Sequence, residues 1–206
     1  MERVVAYVDG FNLYFGLRSK GWRRFYWLDI GEMAEHLLKP GQELVGVKYF
    51  TSRVSSSPAD PDQDKRQNTY LEALATLPQT SLYFGHYLSK QVECRNCGAR
   101  WTKQEEKMTD VNIAMELLVD AQQDGFDTAL LVSADSDLTG PVVKVRTLFP
   151  KKRVVVAFPP DRVSERLKRE ANAWINIGKD AIRAHQLPNP VVKPEGVELW
   201  KPVQWK

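Results

Sequence analysis

Apolar residues in this chain gather into short unbroken runs separated by stretches with a helical repeat. Val4, Val5, Ala6, Tyr7 and Val8 form the first run, which stops at Asp9 and Gly10. Residues 44–50, Thr128–Val132 and Arg153–Phe158 repeat the signature. A strand that is apolar at every position has both faces covered, as in a parallel sheet flanked by helices. Residues 81–88 form a further strand broken by Gly85, and residues 173–177 a sixth.

The intervening stretches read as helices. Residues 64–77 place Tyr70, Leu71, Leu74 and Leu77 on one face and end at Pro78. Thr109 offers an N-cap to a helix whose apolar face is Val111, Ala114, Met115 and Leu118. Another helix follows Thr128–Val132 with Pro141 in its first turn, where a missing N–H costs little. Residues 164–170 and 179–185 complete the set. Strands alternating with helices give an α/β class with a mostly parallel central sheet. Residues 90–107, mostly polar and of neither period, read as an insertion or hairpin. Residues 1–185 are then one domain, and residues 186–206, with four prolines, a tail that wraps it or meets a partner.

Composition narrows the class. The 206 residues include 29 Lys+Arg and 26 Asp+Glu, a net charge of +3, with 43% hydrophobic residues. That apolar share excludes a disordered chain. No apolar run approaches the roughly 20 residues of a membrane helix, and the first residues lack a signal-peptide pattern, so a cytoplasmic protein with no membrane partner is expected. A charge of +3 permits a nucleic-acid partner without requiring one; the arrangement of charge decides.

Acids recur where the chemistry of such folds sits. In open parallel sheets the ligand lies beyond the carboxyl ends of the strands. Asp9 ends the first strand, Asp135 and Asp137 follow the run ending at Val132, and Asp110 opens a helix aimed at the same edge. Carboxylates brought together repel, and a hard divalent cation, Mg²⁺ or Mn²⁺, neutralises such a set. The alternative for each is local: Asp9 and Asp110 as helix caps, Asp135 and Asp137 as turn residues.

The residues around these acids resemble a known family. Val8, Asp9, Gly10, Phe11, Asn12, Leu13 and Tyr14, then Lys107, Thr109, Asp110 and Val111, then Val132, Ser133, Ala134, Asp135, Ser136, Asp137 and Leu138 are similar to the NYN domain of the LabA-like branch, within the PIN-like nuclease superfamily. The resemblance spans roughly residues 3–180 and implies a three-layer Rossmann-like PIN fold and a metal-dependent ribonuclease site. It carries the family's acids onto Asp9, Asp110, Asp135 and Asp137, as catalytic residues and metal ligands, with Asn12 and Ser133 matching the family's asparagine and serine. Ala134 departs from the family's usual glycine. The implied mechanism is a metal-activated water attacking an RNA phosphodiester. Asn12 and Ser133 would position Asp9 or a phosphate. Lys107 reads equally as a phosphate contact or a solvated lysine. A catalytically weak RNA-binding or regulatory module of the same fold is the alternative. Phosphatase-like chemistry is the least favoured, because Phe11 stands where a second acid is needed.

Three further features bear on partners. Arg18, Lys20, Arg23 and Arg24 are interleaved with Trp22, Phe25, Tyr26 and Trp27, the mixture that grips single-stranded RNA, or else aromatics filling a core beside solvated arginines. A second basic stretch runs over residues 146–169. Cys94 and Cys97 supply half of the four ligands of a structural zinc, and His86 a third, so two thiols or a site shared across a dimer are favoured over zinc within one chain. Trp200 and Trp205 in the tail offer a contact for a homodimer.

Overall fold

In a computed structural model of the protein, the backbone of residues 1–206 is described, with the side chains of all but residues 89 and 102–106. The elements in chain order are β1 (Glu2–Asp9), α1 (Gly10–Ser19), α2 (Ile30–His36), β2 (Gln42–Thr51), α3 (Gln63–Leu74), β3 (Thr80–Phe84), β4 (His86–Glu93), β5 (Arg100–Lys107), α4 (Thr109–Gln122), β6 (Thr128–Val132), α5 (Thr139–Leu148), β7 (Arg153–Phe158), α6 (Glu165–Glu170), β8 (Ala173–Asn176), α7 (Lys179–Ala184), β9 (Val191–Val192) and β10 (Glu198–Leu199).

Six strands form a sheet in the order β3-β2-β1-β6-β7-β8, and every pairing in it is parallel. Burial in β1 shows why continuous apolar runs make this sheet. Val4, Ala6 and Val8 join the core under α1, α2, α3 and α7, while Val5 and Tyr7 join the core under α4, α5 and α6. Helices therefore cover both faces, giving the three layers of a Rossmann-like fold. The chain winds outward from β1 in one direction through β2 and β3, then returns to β6 on its other side. The gap between β1 and β6 is the switch point at which such sheets bind ligands.

Some sequence expectations need correction. The strand expected over residues 81–88 is two strands: β3 stays in the sheet, and after Gly85 the chain leaves it as β4, which pairs antiparallel with β5. The hairpin thus begins at His86, ahead of residue 90, and its turn carries Cys94 and Cys97 as free thiols, with the Gly98 N–H donating to the Cys94 carbonyl at 2.9 Å. The apolar face expected for α4 is corrected in part, since Ala114 and Leu118 are half-buried but do not form its centre. The sheet buries Ile113, Leu117 and Ala121, whereas Val111 and Met115 are 50% and 56% exposed. Thr109 lies within that helix, and Met108 at φ 79° occupies the capping position. The tail folds back on its own domain: Trp205 is buried against Tyr26, Trp27 and Tyr70, so it is not available as a dimer contact, while Trp200 stays exposed. Among the described residues no helix is long and apolar enough to cross a membrane.

Candidate metal centre at the switch point of the sheet

Asp9 is the last residue of β1 and only 4% exposed. One carboxylate oxygen accepts from the Asn12 backbone N–H at 2.9 Å, which caps α1; the other accepts from the Ser133 hydroxyl at 2.9 Å. Ser133, fully buried after β6, also accepts through Oγ from the Asp135 N–H at 3.0 Å. The Asn12 carboxamide oxygen accepts from the Ala134 N–H at 3.1 Å. These four bonds fix the start of α1 to the loop after β6. The Asp9 carboxylate thus caps α1, as the local reading expected, and ties that cap to the loop after β6. Ala134 is not among the residues with positive φ, so alanine serves in place of the family's glycine.

Two glycines let the elements close on this point. A Cβ on Gly10 would lie 2.6 Å from the Tyr49 ring, and one on Gly16 would lie 2.6 Å from the Pro160 carbonyl oxygen. The Tyr49 phenol beneath Gly10 is held protonated well above the usual tyrosine range, first by its burial and then by the charge of Asp9.

Asp135 and Asp137 follow. The Asp137 N–H donates to the Asp135 carboxylate at 2.9 Å, capping a turn of 3₁₀ helix over Ser136–Leu138. Asp110 enters from the first turn of α4. Each of Asp110, Asp135 and Asp137 offers a carboxylate oxygen, and the three oxygens lie within 4.8 Å of one another. Ligands of an octahedral Mg²⁺ are about 3.0 Å apart when adjacent and about 4.2 Å when opposite, so a hard divalent cation suits this set once the three oxygens draw in to that spacing. Asp9 stands outside that triplet but lines the same pocket of about 180 Å³ with Asn12, Asp110 and Asp135.

The pocket also draws on residues to which the sequence reading gave no part in a site. Phe11 and Phe15 stack at 6.3 Å, Thr109 is buried at its edge, and Arg162 enters from beyond β7 with its guanidinium 5.7 Å from the Phe15 ring centre. Arg162 was legible only as one of several basic residues over 146–169; its position four residues past a strand's carboxyl end is the signal that marks it. Lys107 closes β5 and is exposed, outside the pocket lining. Arg18 and Arg23 line a neighbouring cavity of about 730 Å³ that shares the Phe11 and Phe15 wall. Arg24 lines neither space and lies over the Phe25 ring at 5.0 Å. Phe25, Tyr26 and Trp27 are buried, so those aromatics do fill core, while the arginines among them face outward.

Comparison with known proteins places the architecture. The family model for the NYN domain matches residues 3–178. The chain is 28% identical to 6-hydroxy-3-succinoylpyridine 3-monooxygenase HspA of Pseudomonas putida, over 94% of this chain and 74% of that protein. In structure it resembles a protein of unknown function from Vibrio parahaemolyticus, with a TM-score of 0.59 and 20% identity over 90% of this chain and 96% of the other.

Proposed function

Because the chain belongs to the NYN domain family of the PIN-like nuclease superfamily, we propose that it is a divalent-cation-dependent ribonuclease that hydrolyses RNA phosphodiester bonds. The observation that carries this reading is the convergence of Asp110, Asp135 and Asp137 on one point at the switch of the sheet. Mg²⁺ or Mn²⁺ is the cation suited to three carboxylates, with Asp9 beside them. A cation bound there supplies charge neutralisation at the phosphoryl group and a water of lowered pKa.

The chain's own residues supply the rest. Ser133 and Asn12 hold Asp9 and the Asp135 loop in one arrangement before substrate arrives, so no reorganisation is needed at the moment of reaction. Arg162 at the pocket wall is placed to meet a phosphate of the strand being cut. The Phe11 and Phe15 pair offers apolar ring surface next to that phosphate.

The test is cleavage of labelled single-stranded RNA with Mn²⁺ or Mg²⁺, with and without EDTA, beside Asp9→Asn and Asp135→Asn. Wild type should cut only with the cation, and each variant should lose at least about 100-fold. Equal cutting by wild type and variants would sink the reading. Binding of RNA by all three with no cutting would assign the chain to the RNA-binding module instead.

A second reading is favoured by the large aromatic cavity and by the name of the Pseudomonas putida relative: hydroxylation of a hydroxypyridine, with dioxygen and a two-electron donor as co-reactants. Oxygen uptake dependent on a hydroxypyridine, measured with NADH and flavin present, would support it.

A further inference from the structure

The cavity beside the acidic pocket is a cleft open to solvent. It measures about 730 Å³, within the range of small-molecule sites. Its walls come from α1, residues 21–28, the end of β2, the loop over residues 52–62, α3, Tyr87 of β4 and the C-terminal Trp205.

Those walls are fixed without a ligand. Gln67 of α3 accepts from the Val54 N–H at 2.8 Å and donates to the Ser52 carbonyl at 2.9 Å, while Arg66 pairs with Asp60. The loop is thereby strapped to the helix. The rings are held edge-on or tilted to one another: Tyr14 and Tyr26 at 5.0 Å, Tyr26 and Trp205 at 5.6 Å, Tyr70 and Trp205 at 6.0 Å. The rings thus pack on one another, with Tyr26 and Trp205 in the core, and the half-buried Tyr14 with the remaining rim of Tyr26 and Trp205 gives the cavity apolar wall against which a flat ring can lie.

Charge identifies the rest of the ligand. Three arginines line the cavity, and Arg66 is committed to Asp60. Among the described residues Arg18 and Arg23 form no ion pair, and both are exposed. Guanidinium groups presented beside an aromatic-lined space select a planar molecule that carries an anion.

We propose that this cavity binds a planar heteroaromatic anion, its ring held among Tyr14, Tyr26 and Trp205 and its charged group toward Arg18 and Arg23. The site is distinct from the carboxylate triplet and stands whether or not those acids carry cleavage. Two sources share this chemistry, a nucleotide unit of an RNA and a free heteroaromatic acid.

Calorimetric titration of the full chain in EDTA, which silences the acidic pocket, separates them. The probes are UMP, AMP and nicotinate, with uridine as a ring without charge and inorganic phosphate as a charge without a ring. Saturable binding of a nucleotide or of nicotinate, at least tenfold tighter than uridine or phosphate, supports the site; the probe that binds names the source. In the Arg18→Gln/Arg23→Gln variant, whose substitutions are at exposed positions, affinity should fall at least tenfold with the thermal midpoint unchanged. No saturable binding of any ring-bearing anion up to millimolar concentration, or equal binding by the double variant, overturns the proposal. Because the titration contains no divalent cation, its failure leaves the cleavage assay untouched, and failure of cleavage leaves this titration untouched.

Discussion

Ser133 shows how much of the site rests on one small side chain. Its hydroxyl donates to Asp9 and accepts from the Asp135 N–H, with no solvent exposure to replace either bond. Ser133→Ala should destabilise the fold by about 1–3 kcal/mol, the cost of leaving buried polar partners unmade, as read from urea unfolding. Cleavage should fall further than that loss of folded protein explains, because Asp135 loses its anchor. Gly10 makes the complementary case for space. Its missing Cβ leaves room for the Tyr49 ring, which would be met at 2.6 Å, and for the Phe50 carbonyl at 2.9 Å. Gly10→Ala should therefore cost about 1–3 kcal/mol through overpacking. Gly46→Ala in β2 is the control: its nearest neighbour would be 3.9 Å away, and its unfolding midpoint should stay close to wild type. If the two variants prove equally stable, the close approach at Gly10 is not what constrains that residue.

At the scale of elements, legibility followed burial. β1, β6 and β7 could be read because strands covered on both faces are apolar at every position, and their ends placed Asp9, Asp135 and Asp137 at one edge. The face of α4 could not be read, because the helix carries two apolar stripes four residues apart in step, one through Ile113, Leu117 and Ala121 and one through Val111, Met115 and Val119. Periodicity finds both and cannot choose; contact with the sheet does. The departure of β4 from the sheet was hidden for a similar reason, since Gly85 marks a break without saying where the chain goes next. Arg162 and the cavity around Trp205 depend on residues far apart in sequence, which no local pattern joins. A long-range pair also fixes how β1 enters the sheet. The Arg3 guanidinium contacts both carboxylate oxygens of Asp127, at 2.8 Å and 3.2 Å; just ahead of β6 the Asp127 N–H donates to the Arg3 carbonyl at 2.9 Å, and the Arg3 N–H donates to the Asp127 carboxylate at 2.8 Å. The hydrogen bonds from Arg3, side chain then backbone, hold the Asp127 carboxyl down at about 2. A carboxyl depressed by folding contributes stability that is fully present above its unfolded value and lost as the pH falls toward its folded one. Stability measured between pH 5 and pH 2 should therefore decline less steeply in Asp127→Asn than in wild type; parallel curves would show that this pair does not set the acid limb.

Over the whole molecule, a net charge of +3 conceals a division of labour. Acids converge at the switch point, and basic residues ring the larger cavity and the far end of β7. Three carboxylates within 4.8 Å of one another repel, a cost that a bound cation would offset. Folding and cation binding are then linked: an ion that binds only the folded chain at 100 times its dissociation constant adds about 2.7 kcal/mol. For a chain of this size each kcal/mol moves the thermal midpoint by about 2–4 °C, so saturating Mn²⁺ should raise it by roughly 5–11 °C. Asp110→Asn/Asp135→Asn should show the opposite pattern. In EDTA its midpoint should equal or exceed that of wild type, since the repulsion is relieved, and Mn²⁺ should leave it unmoved. A variant that melts lower than wild type in EDTA would mean that these carboxylates hold the fold together as caps rather than strain it. A midpoint in the wild type that ignores Mn²⁺ would mean that the triplet binds no such ion.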